Sequence, residues 1–89
     1  MYIYTHTYYW QVSCLLTHTQ LGALVGALKS NRSTDTIDLE GCGIGDEGCV
    51  LVRDLLLANK CISDLDLQMN QVADKRAMTL LSCLVQLYI

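Results

Sequence analysis

The sequence of 89 residues predicts an α/β solenoid. It should be a short right-handed arc of about three strand–turn–helix units, with parallel strands inside the curve and helices outside. Three observations predict it. The stretches Thr34–Ile44 and Ile62–Val72 carry one pattern at a constant offset of 28 residues. Each copy opens on an apolar alternation, Ile37/Leu39 and Leu65/Leu67, the two-residue period of a strand with one buried face. Each is then followed by an apolar stripe at helical spacing. A period of this size belongs to units that cannot hide their greasy faces alone and stack to do so.

Counting the period outward gives units of 6–33, 34–61 and 62–89. In the second unit, alternation sends Ile37 and Leu39 inward and Thr36, Asp38 and Glu40 outward. In the third, the outward set is Asp64, Asp66 and Gln68. A turn follows (Gly41-Cys42-Gly43, Met69-Asn70-Gln71), and Ile44 or Val72 returns to the interior. Asp46 and Asp74 are placed to cap a helix N-terminus, and Glu47 adds charge that the helix dipole favours. The predicted stripes are Cys49, Val52, Leu55 and Leu56, then Ala77, Leu80, Cys83 and Leu84. In the first unit the stripe is Leu21, Leu24, Ala27 and Leu28. Asn31 and Asn59 fall just past the helices, where Asn readily ends one.

The first unit is degenerate. The period sets Tyr9 against Ile37, Gln11 against Leu39, Cys14 against Cys42 and Leu16 against Ile44, with His18 where the capping Asp should be. Residues 1–18 thus read as an atypical segment. Either they hold a degenerate strand, as terminal repeats often do, or the run Tyr2–Tyr8 is translated simple-sequence DNA or a misplaced start. The repeats proper occupy 19–89.

Composition narrows the function. Nine acidic and six basic residues give a net charge of −3, which argues against nucleic acid or an anionic membrane as partner. No apolar run approaches the ~20 residues of a bilayer span. The first basic residue is Lys29, so the charged front of a secretory signal is missing. Five cysteines without a CxxC pair fit neither a disulfide framework nor a zinc site. They read as reduced thiols of a cytoplasmic protein, with Cys61 the only one open to reagents.

At this point the residues resemble a known family. Ile62, Leu65, Leu67, Asn70 and Val72, and likewise Ile37, Leu39, Cys42 and Ile44, match the pattern L-x-x-L-x-L-x-x-N/C-x-L of leucine-rich repeats. The repeat length, the Ile44-Gly45-Asp46-Glu47-Gly48 turn and the following helix look like the ribonuclease-inhibitor-like subclass, found in NOD-like receptors and in Ran GTPase-activating proteins. The resemblance covers residues 19–86 well and 6–18 poorly. It implies a ladder in which Cys14, Cys42 and Asn70 donate from consecutive rungs to inward-facing carbonyls. It also implies a concave face carrying Tyr8, Trp10 and Val12, then Thr36, Asp38 and Glu40, then Asp64, Asp66 and Gln68.

The expected function is that of a protein-interaction module, a fragment of a larger intracellular scaffold, receptor or regulator. It would bind a basic protein partner through the concave face. The alternatives are a piece of a Ran-type GTPase-activating protein and a non-functional product of a partial gene. The loops Gly41–Gly45 and Met69–Ala73 carry no charge, which disfavours the former. An enzyme is not expected, because Asp38 and Asp66 would stand on an open face that leaves carboxylates ordinary. No cofactor is expected and no metal, His6, Cys14 and His18 being an accidental set. The scattered basic residues Lys29, Arg32, Arg53, Lys60, Lys75 and Arg76 read as a solvated convex surface. The apolar ending Leu84–Ile89 is expected to leave an open flank suited to self-association or to further repeats.

Overall fold

The computed structural model describes residues 3–5, 9–12 and 14–89. They form a small α/β fold whose sheet has the strand order of the chain. Strand β1 (Ile3–Thr5) runs antiparallel to β2 (Tyr9–Val12). From β2 onward all neighbours are parallel: β3 (Thr36–Asp38), β4 (Asp64–Asp66) and β5 (Gln86–Tyr88). Helices α1 (His18–Leu28), α2 (Asp46–Ala58) and α3 (Lys75–Leu84) connect successive parallel strands, and each helix packs on the next. Parallel neighbours require such crossovers, since a tight hairpin cannot join them. None of the described helices is long and apolar enough to cross a membrane.

The core lies between the sheet and the helices. Ile37, Leu39, Leu65 and Leu67 fill it from the strand side, with Leu21, Val25, Leu28, Cys49, Val52, Leu55, Leu56 and Leu81 from the helices. The stripe expected on α2 is buried in full. The register Ile37↔Leu65 keeps the offset of the two matched units, and the leucines of one unit lie beside those of the next.

Several expectations are corrected. The register pairs Tyr9 with Thr36, Trp10 with Ile37 and Gln11 with Asp38. Strand β2 is therefore displaced by one residue from the periodic alignment, and a displacement of one exchanges the two faces. Val12, expected outward, is buried at 2 % exposure. Gln11, not Trp10, stands beside Asp38. Tyr8 lies outside the described residues, as does His6.

On α1, Val25 is buried and Ala27 exposed. The helix opens on a capping box, Thr17 accepting from the Gln20 N–H while the Gln20 side chain accepts from the Thr17 N–H, so the missing Asp at position 18 is no loss. Asp46 does not cap α2, whose N-cap is Gly45 without a side-chain bond. Its Oδ1 instead accepts from the backbone N–H of Ala73 and Asp74, both at 3.0 Å, tying α2 to the loop before α3. Asp74 does cap α3 through the Arg76 N–H.

Helix α3 starts one residue late relative to α2, at Lys75 against Asp46. Its buried side thereby turns to Leu81, with Ala77 and Leu84 half-buried, while Leu80 and Cys83 face solvent. Gln86–Tyr88 pair with β4 as a further parallel strand at the end of the sheet, with Tyr88 and Ile89 exposed. Val85 at the end of α3 leads straight into this strand.

Candidate functional site

The sheet face turned away from the helices carries the expected acidic residues. Parallel register sets Gln11, Asp38, Asp66 and Tyr88 in one row across the sheet, with Tyr9, Thr36, Asp64 and Gln86 in the row beside it. In-register pairing at the 28-residue offset sets matched positions side by side, so Asp38 meets Asp66 directly. Each of the two also closes the turn after its strand. Asp38 Oδ1 accepts from the Glu40 N–H at 3.0 Å, and Asp66 Oδ1 from the Gln68 N–H at 2.9 Å. The two strands thus end in the same way.

Tyr9 was not expected here. Its hydroxyl donates to Asp38 Oδ2 at 2.8 Å, and Asp38 retains only 9 % exposure. Partial burial, followed by the Asp38 hydrogen bond and then the charges of Asp38, Asp66 and Glu40, pushes the Tyr9 phenol up to about 12. Tyr88 stands at the other side of the face, 48 % exposed. A shallow groove of about 170 Å³ is lined by Tyr9, Thr36, Asp38, Asp64, Leu65, Asp66 and Tyr88. Glu40 and Gln68 are exposed at its lower edge. One oxygen each of Asp38, Glu40 and Asp66 lies within 4.8 Å of the other two. Among the described residues the one ion pair is Arg53–Asp54, on α2 and away from this face. Among the described residues the carboxylates of the groove therefore have no cationic partner.

Beneath the groove, side chains hold the turns. Asn70 Nδ2 donates to the carbonyls of Leu39 (2.8 Å), Leu67 (3.1 Å) and Gln68 (3.2 Å). Its Oδ1 accepts from the Ile44 N–H at 2.8 Å. The Cys42 thiol donates to the Val12 carbonyl at 3.2 Å and lies 3.7 Å from that of Glu40. Burial pushes this thiol up, which keeps it protonated as a donor. Cys14 is half-buried and its backbone N–H faces the Cys42 sulfur. Positive φ at Gly41 (67°), Gly43 (75°) and Met69 (59°) bends these turns; glycine takes that conformation freely, Met69 at a cost.

Of the expected face residues, Thr36, Asp38, Asp64 and Asp66 come together in the groove, Glu40 and Gln68 border it, and the backbone of Trp10 lies in the opposite register. Sequence reasoning missed both tyrosines. Tyr9 was hidden by the one-residue displacement. Tyr88 follows β4 after only 22 residues (86 − 64), short of the period. Cys83 is exposed along with Cys61, so two thiols, not one, face solvent. No protein-family model matches the chain, and no curated protein is similar to it.

Proposed function

We propose that the chain is a leucine-rich-repeat solenoid of the ribonuclease-inhibitor-like kind, acting as a non-enzymatic protein-interaction module within a larger intracellular scaffold, receptor or regulator. It docks a basic protein partner on the sheet face opposite the helices. The observation that carries this reading is the in-register pair Asp38–Asp66, with Asp64 and Glu40 beside it and two tyrosines flanking it. Four carboxylates on adjacent strands attract a cationic surface and raise its association rate. Tyrosine supplies contact area at low entropic cost, as in binding hot spots. The fold supports the repeat reading through chain-order parallel strands and through the Asn70 and Cys42 contacts between units.

The test is affinity capture with the chain as bait, set against the triple variant Glu40→Lys, Asp64→Lys, Asp66→Asn, the last keeping an acceptor for the Gln68 N–H. Asp38 is left alone because its carboxylate holds Tyr9 and the Glu40 N–H. A basic protein retained by the native chain and lost from the variant, with circular dichroism and melting unchanged, is the expected result. A partner that binds both alike overturns the assignment of the face.

A further inference from the structure

The groove on the sheet face is walled on one side by Tyr9 and on the other by Tyr88, and its floor is anionic. Resting on the docking function proposed above, we infer that it receives the arginine side chain of an extended segment of the partner, the guanidinium lying on Asp66 with its plane against a tyrosine ring.

Four observations select that occupant. Asp38 is already engaged at both oxygens, Oδ2 by the Tyr9 hydroxyl and Oδ1 by the Glu40 N–H. Among the described residues Asp66 takes one such bond, from the Gln68 N–H to Oδ1, which leaves Oδ2 for an incoming donor. Asp64 beside it uses Oδ2 for the Ser63 hydroxyl and offers Oδ1. Carboxylates on neighbouring positions with aromatic rings at the sides suit a planar cation with five donors, which can bridge two acids and stack at once.

A bare divalent cation fits less well. Calcium takes six to eight oxygens in a shell of about 2.3–2.6 Å, whereas three acidic residues, Asp38, Glu40 and Asp66, gather here on an open face, too few to fill that shell. The aromatic walls would give such an ion nothing. A lysine ammonium would find the charge and not the stacking. An extended segment is the natural carrier, because alternate side chains of a strand point the same way and can follow successive positions of the sheet.

The probes are two short capped peptides, one alternating arginine with serine and one alternating lysine with serine, titrated into the full chain at low ionic strength. Tyrosine fluorescence and amide chemical shifts are the readouts. The arginine peptide should shift Asp64, Asp66 and Tyr88 and should bind about fivefold more tightly than the lysine peptide, the size of one exposed cation–π contact. Tyr88→Leu should bring the two peptides level. Asp66→Asn, which keeps an acceptor for the Gln68 N–H, should weaken both. If the peptides bind native chain alike and Tyr88→Leu changes nothing while Asp66→Asn still weakens both, the arginine assignment falls and the acidic docking face stands. If neither peptide binds, or Asp66→Asn has no effect, both fall.

Discussion

Asn59 donates from Nδ2 to the main-chain carbonyl of Asn31 at 2.6 Å, 28 positions earlier in the chain. The same nitrogen reaches the Leu28 carbonyl at 2.8 Å, and Oδ1 accepts from the Cys61 N–H. With 1 % exposure, this carboxamide joins the ends of α1 and α2 from inside the protein. Asn70 does the same on the strand side, between the turns after β3 and β4. Two asparagines, Asn59 buried and Asn70 half-buried, therefore bind neighbouring units at opposite ends of the stack. Both satisfy carbonyls that the bending chain leaves without a helix or strand partner.

Removing either carboxamide strands those groups. Asn59→Ala and Asn70→Ala should each destabilise the chain by about 2–3 kcal/mol, the cost of leaving several partly or fully buried backbone groups unpaired at once. Cys42→Ala removes a weaker sulfur donor and should cost about 1–2 kcal/mol, mostly lost packing. Urea unfolding of the three variants checks the order. A Cys42 variant as damaged as the Asn70 variant would show that packing, not hydrogen bonding, holds the turns.

Two glycines should respond in opposite directions to the same substitution. A Cβ on Gly48 would lie 2.8 Å from Ile44 Cγ2 and 3.0 Å from Leu21 Cδ2, so Gly48→Ala should force the first two units apart at a cost of about 1–3 kcal/mol. A Cβ on Gly26 meets nothing within 4 Å, and Gly26→Ala should stabilise α1 by about 0.5–1 kcal/mol. Thermal melts of the pair test whether α1 and α2 meet at Gly48.

Thiol reactivity should split the cysteines. Cys61 and Cys83 are exposed, Cys14 is half-buried, and Cys42 and Cys49 are buried. Burial, with the nearby charges of Asp46 and Asp74, pushes the Cys49 thiol up to about 11. An aromatic disulfide reagent near neutral pH should modify Cys61 and Cys83 quickly and Cys14 more slowly. Cys42 and Cys49 should react only as the chain unfolds. Mass spectrometry of time points identifies each site, and early labelling of Cys49 would contradict the packing of α2.

Alkaline pH should weaken the fold. Tyr9 and Cys49 hold their protons more tightly when folded, at about 12 against 10.0 and about 11 against 9.0. Deprotonation therefore favours the unfolded chain. Their contribution is intact below pH 9 and is lost as pH rises, through about 11 for Cys49 and through about 12 for Tyr9. Tyr9→Phe has no hydroxyl to titrate, so its melting temperature should start lower and fall less steeply between pH 10 and 12. Equal slopes for the two proteins would mean that Tyr9 titrates as freely folded as unfolded.

Much of this was legible from spacing. The offset of 28 located β3, β4 and α2 and identified Ile37, Leu39, Leu65 and Leu67 as inward, because two intact copies of a pattern fix each other's phase. Where a unit loses or gains one residue, the phase is lost. One residue between β2 and α1 exchanged Trp10 for Gln11 beside Asp38. One residue before α3 turned Leu80 and Cys83 to solvent and Leu81 inward. The apolar composition of both segments is equally compatible with either phase, so only packing against a neighbour could choose. Asn59 was legible as a helix-ending residue, and its position one unit after Asn31 hinted at more. Its donation to the preceding unit needed the units in contact.

By itself the order of residues determined an α/β alternation, the faces of the two matched units and a strip of aspartates on adjacent strands, since local periodicity is enough to direct side chains in or out. The tertiary structure decided that Tyr9 closes over Asp38, that Gln86–Tyr88 join the sheet beside β4, and that Asp46 secures the following loop rather than its own helix. Each of those contacts joins residues far apart in the chain, and their partners are set by where packed units bring them in space, which no local pattern encodes.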